Sequence, residues 1–91
     1  MSKVQPVIDE MRSRKRSLKC SEVSKLLKSL KFDVREGDGP GHKVVSHGGL
    51  TGFLGSNFDC GHGKNDVVKV PYVLNLIKML ENWKVEIEAA L

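Results

Sequence analysis

Apolar and polar residues follow two rhythms along this chain. Val4, Val7, Ile8 and Met11 fall three and four residues apart, the stripe of a short helix within Lys3 to Arg16. Pro6 is tolerable in a first helical turn, where its missing N–H loses no partner. Val23, Leu26, Leu27 and Leu30 repeat at i, i+3, i+4 and i+7, which predicts an amphipathic helix over Ser21–Leu30. Ser21 is its expected N-cap, Glu22 suits the first turn, and Lys25 and Lys28 project from the polar side. The rhythm then changes to period two at Phe32-Asp33-Val34, the start of a strand. Three glycines in Gly37-Asp38-Gly39-Pro40-Gly41 predict a loop, His42 to Ser46 a second strand, and His47-Gly48-Gly49 a turn. Leu50 to Phe58 reads as a third strand bent at Gly52 or Gly55, and Asp59 to Asp66 as a loop. Val73, Leu76, Ile77, Leu80, Trp83 and Ile87 restore the helical period, predicting one helix from Pro71 to Glu88.

The order helix, helix, three strands, helix has one simple solution. Consecutive strands with short connections pair antiparallel, because parallel pairing needs long crossovers. Amphipathic helices must cover the apolar face of the sheet. The predicted fold is therefore α+β, a two-layer sandwich in one domain over 1–91, with 1–17 as a helical N-terminal extension.

Composition narrows the class. Ninety-one residues make one small domain with a thin core. No apolar run approaches the roughly 18 residues of a membrane span, and Met1 to Asp9 lacks the apolar stretch of a secretory signal. Two cysteines, Cys20 and Cys60, are too few for a disulfide scaffold. Free thiols in a reducing cytoplasm are the expectation. Charge is uneven: residues 1–35 carry ten Lys/Arg against four Asp/Glu, net +6, and residues 36–91 five against seven, net −2. A basic front suggests a polyanionic partner such as RNA. Aromatic residues are only 5% of the chain, which argues against a platform that stacks several single-stranded bases. Within the basic front, Arg12, Arg14, Lys15 and Arg16 form a cluster that binds phosphate less often than it serves as a solvated connector.

His42 is the first candidate for chemistry. It leaves the glycine-rich loop beside Lys43, and antiparallel pairing brings Arg35 of the preceding strand near Lys43. An imidazole can take and give a proton, while Lys and Arg hold a phosphate and offset its developing charge. Glycines such as Gly41 let a backbone approach closely and leave N–H groups free. That set suits attack of an RNA 2′-hydroxyl on the adjacent phosphate. Taken alone it is weak, since a histidine at a loop–strand junction is more often surface decoration. The loop is no P-loop, because no Gly-Lys-Ser/Thr follows at the required spacing. Cys60-Gly61-His62 with His42 and His47 lacks the paired close-spaced ligands of structural zinc, so no metal is expected. Cysteine nucleophilic chemistry is weakly signalled as well. Trp83 reads as core, Tyr72 as a packing or hydrogen-bonding residue at a helix start, and Glu36, Asp59 and Asp66 as scattered carboxylates.

Several of these pieces occur together in a known family. Cys20-Ser21-Glu22-Val23-Ser24-Lys25-Leu26-Leu27-Lys28-Ser29-Leu30-Lys31-Phe32 resembles the opening helix and strand of HicA-type toxins, with Lys31 where glycine is frequent. Gly39-Pro40-Gly41-His42-Lys43-Val44 resembles the family's glycine-serine-histidine element, with Gly41 at the serine position. Lys64 through Leu80 and Val7 to Arg12 resemble the C-terminal helix and leading segment of a longer subgroup, so the likeness covers roughly residues 7–82.

The resemblance implies a double-stranded-RNA-binding-like fold and the toxin of a type II toxin–antitoxin pair. It implies a metal-independent mRNA interferase, an endoribonuclease without cofactor, with a HicB-type antitoxin protein as partner. His42 carries over as the catalytic residue, acting as general base or acid. Lys25, Lys28, Arg35, Gly41 and Lys43 are the expected RNA contacts, with Lys43 stabilising charge on the phosphate. His47 and His62 are the candidates for a second proton carrier. The rival expectation is a non-catalytic module that binds double-stranded RNA by shape; a third is a protein-interaction domain.

Overall fold

The computed structural model describes residues 3–39, 41–60 and 66–91. Its elements are α1 (Val4–Ser13), α2 (Cys20–Ser29), β1 (Asp33–Glu36), β2 (His42–Ser46), β3 (Ser56–Asp59), α3 (Val70–Asn82) and α4 (Lys84–Ala90). The three strands form one antiparallel sheet in the order β1-β2-β3, as the short connections require. α2 packs beside β1 and α3 beside β3, while α1 lies on α3 and α4. Among the described residues the architecture is an α+β fold with four helices, where three were expected. No helix among the described residues is long and apolar enough to cross a membrane.

The apolar stripes do what their spacing predicts. Val4, Val7, Ile8 and Met11 are buried along α1, and Val23 and Leu27 along α2. α2 starts one residue earlier than expected. Lys19 is its N-cap, and the Glu22 carboxylate accepts the Lys19 N–H at 3.1 Å, so the cap is built by Glu22 rather than by Ser21. At the other end Phe32 N–H reaches Leu27 O and Lys31 N–H reaches Lys28 O, the paired bonds of a Schellman motif. Lys31 therefore adopts φ 68°, a left-handed conformation that favours glycine. Arg12 and Arg14, half of the basic cluster, are spent on Glu81 and on Glu10 and Glu22.

Two predicted elements are shorter than expected. Of the Leu50–Phe58 segment only Ser56 to Phe58 is strand, and the strand runs on through Asp59, which was expected to open the loop. Leu50 and Phe53 close successive turns onto His47 O and Leu50 O. Gly55 at φ 96° then brings its backbone so near Val45 O that a Cβ would sit 3.0 Å from it. The C-terminal helix breaks at Trp83. The turn sets the Trp83 ring edge-on to Phe53 at 5.5 Å, and Ile87 returns to the core.

The largest departure is covalent. Cys20 and Cys60 are joined in a disulfide across 40 residues, with Cα atoms 5.3 Å apart. The expected free thiols are corrected accordingly. Folding brings the first residue of α2 against the residue after β3, an adjacency that the cysteine count alone does not reveal. The same corner is tied by Cys20 N–H to Asp66 O, Val68 N–H to Leu18 O and a Lys19–Val67 bridge.

Candidate functional site

Alternation along the strands divides the sheet into two faces. Val34, Val45 and Phe58 share the face that joins the core beneath the helices. Arg35, His42, Val44, Asn57 and Asp59 share the other, open face.

On that open face the register sets Asp59 of β3 directly across from His42 of β2. His42 Nδ1 lies 2.6 Å from Asp59 Oδ1, and the Tyr72 hydroxyl donates to Asp59 Oδ2 at 2.9 Å. Both carboxylate oxygens are therefore occupied, one from the sheet and one from the start of α3. The Asp59 carboxyl is held below its ordinary range, first by the His42 bond and then by Tyr72, with the charge of Lys69 adding to both against partial burial. Tyr72 moves the opposite way, raised because its hydroxyl donates to a carboxylate. The His42 side chain remains 33% exposed, open to a ligand on one side.

Gly37 completes the setting of this ring. Its N–H donates to the His42 carbonyl at 2.8 Å. A Cβ at position 37 would run into the imidazole and stand 3.0 Å from Val44 Cγ2. The ring lies across the glycine, and only a residue without a side chain leaves it room.

The open face also carries a shallow groove of about 530 Å³, bordered by Arg35, Val44, Asn57, Phe53 and Leu54; His42 shares this face, two residues along β2 from Val44, but does not line the groove. Arg35 is exposed and has no hydrogen-bond or ion-pair partner among the described residues. An exposed guanidinium on the same sheet face as a part-exposed imidazole suits a phosphate-bearing ligand.

The structure separates other expected site residues from this group. Lys43, next to His42 in sequence, faces the opposite side of the sheet and is ion-paired with Glu36, its register partner. Lys25 and Lys28 lie on the side of α2 turned away from its buried Val23 and Leu27, across the two layers from the open sheet face. Gly41 precedes His42 and uses its carbonyl to accept the Cys60 N–H at 2.7 Å. His47 is buried, with Nε2 on Leu30 O at 3.0 Å and Nδ1 accepting the Gly49 N–H at 3.0 Å. Both of its nitrogens are used and its ring packs edge-on against Phe32, so it is a core histidine and no proton carrier. His62 lies outside the described residues.

Asp59, Gly37, Tyr72 and Lys69 are the parts that sequence reasoning missed. Asp59 was one carboxylate among several, and its tie to His42 depends on a register that two loops determine. Gly37 carried a visible signal as the first glycine after β1, but not the reason for it. Comparison with protein-family models, curated proteins and solved structures returns no match for this chain.

Proposed function

We propose that the chain is a metal-independent endoribonuclease of the HicA type, the toxin of a type II toxin–antitoxin pair acting on mRNA in the cytoplasm. The observation that carries this reading is the open-face group: a part-exposed imidazole held by a carboxylate, on the same sheet face as an exposed arginine that has no partner among the described residues. The run α2-β1-β2-β3-α3 is also the element order of a double-stranded-RNA-binding-like domain, and we propose that kinship on this basis. In the proposed reaction the imidazole of His42 takes the proton of a ribose 2′-hydroxyl. The 2′-oxygen bonds to the adjacent phosphorus, the bond to the 5′-oxygen breaks, and the leaving oxygen takes a proton from water or from the imidazolium. The products are a 2′,3′-cyclic phosphate and a 5′-hydroxyl. Arg35 contacts the phosphate oxygens. A HicB-type antitoxin would act by covering the open face.

The test is His42→Ala on RNA in the presence of a chelator. A well-placed proton-transfer group is worth ~10²–10⁴ in rate, so cleavage should fall by that factor. Cleavage and growth arrest equal to the parent would reject the assignment.

A second reading rests on a different observation. Lys25 and Lys28 are exposed, free of partners among the described residues, and remote from His42. They fit a module that binds duplex RNA through phosphates without cutting it, with affinity that falls steeply in salt. Retained binding to RNA that stays intact would favour this module.

A further inference from the structure

We infer that Asp59 is the positioning residue of His42, accepting its Nδ1–H so that the neutral ring keeps an unprotonated Nε2 on the side away from the carboxylate, with Tyr72 bracing the carboxylate from α3.

An ionised carboxylate can only accept hydrogen bonds. At 2.6 Å from Asp59 Oδ1, the His42 Nδ1 must be the donor, and in a neutral imidazole the proton then cannot also be on Nε2. Nε2 has no partner among the described residues. It is thus the nitrogen available to take a proton.

Four constraints make this more than a surface ion pair, which on its own contributes little. The strand register puts Asp59 opposite His42 rather than leaving the contact to two flexible side chains. Gly37 confines the ring from the β1 side. Tyr72 fixes the carboxylate through its second oxygen. The backbone beyond Asp59 is pinned, since the Cys60 N–H donates to Gly41 O at 2.7 Å. Sheet, loop and helix α3 together hold one ring orientation. Pre-set orientation is what a proton-transfer group needs, because misplacement by about 1 Å can cost 10²-fold in rate.

The consequence for catalysis rests on the nuclease reading; the tautomer does not. The experiment therefore has two arms. The first is nitrogen-15 NMR of the histidine rings at a pH where His42 is neutral, on wild type, Asp59→Asn and Tyr72→Phe. The expected wild-type spectrum shows Nδ1 protonated and Nε2 bare. Asp59→Asn should give a mixture of tautomers, with Tyr72→Phe intermediate. The second arm is RNA cleavage by the same three proteins. Asp59→Asn should lower kcat by about 10-fold or more with KM nearly unchanged. The loss should stay below the ~10⁴-fold of a fully buried protease triad, because the Asp59 side chain is 44% exposed.

A wild-type Nε2–H tautomer overturns the inference, and so does an Asp59→Asn spectrum identical to wild type. Should Asp59→Asn fail to fold, the wild-type and Tyr72→Phe spectra decide alone. The expected tautomer in a protein that leaves RNA intact upholds the inference and removes the nuclease reading instead. Cleavage that needs His42 but shows the wrong tautomer does the reverse.

Discussion

The His42 ring lies across Gly37, the residue after β1, where a Cβ would run into it. Gly37 is not in the left-handed region, so its role is clearance rather than backbone freedom. Gly37→Ala should therefore fold. It should cut RNA cleavage by about 10-fold or more through a shifted imidazole. Melting and cleavage curves on the same preparation check this. Unchanged cleavage with a normally folded protein would show that the ring tolerates the shift.

Lys31 offers the opposite case, a side chain where glycine belongs. A non-glycine residue at its φ of 68° costs roughly 1–2 kcal/mol, partly offset by the entropy that a glycine loses on folding. Lys31→Gly should stabilise the fold by about 0.5–1 kcal/mol, measured by urea denaturation, with no effect on cleavage.

The Cys20–Cys60 bridge closes a loop of 40 residues. Restriction of the unfolded chain by such a loop is worth at most about 4 kcal/mol. The double variant Cys20→Ser, Cys60→Ser should lose about 2–4 kcal/mol, and a reductant should bring the wild type to the same value. A cytoplasmic toxin would work with the pair reduced, so cleavage by folded double variant should persist. Equal stability with and without reductant would show that the bridge does not form in solution.

Glu22 sets an acid limit. Its carboxyl is held below the ordinary 4.5, first by the Lys19 N–H and then by Arg14. A lowered folded value means stability that is present above pH 4.5 and lost as pH falls through that lowered value. Wild type should melt higher than Glu22→Gln at pH 7, and the gap should close as the pH falls below 4.5 and through the lowered value. A gap that is constant with pH would contradict the role assigned to the ionised carboxylate.

Much of the frame was legible because burial obeys periodicity. The stripe Val23, Leu27, Leu30 buries as its spacing requires, and the three strands pair as short connections dictate. Leu50 to Gly55 deceived the same reasoning, since alternation there is interrupted by turns that a sequence window does not weigh. His42 was legible as a residue type beside glycines. Its partner was not, because Asp59 meets it only through register, and Tyr72 only through the docking of α3 on β3. Lys43 was misjudged for a related reason: neighbours in a strand face opposite sides. The disulfide is a fact of three-dimensional adjacency, silent in a count of two cysteines.

The most direct measurement uses one RNA strand in two forms, the natural strand and the same strand with 2′-deoxyribose throughout, each incubated with wild-type protein in chelator. The account predicts that the natural strand is cut to fragments ending in 2′,3′-cyclic phosphate, and that the deoxy strand survives. Cleavage of both strands, or of neither, would contradict proton abstraction from the 2′-hydroxyl by His42.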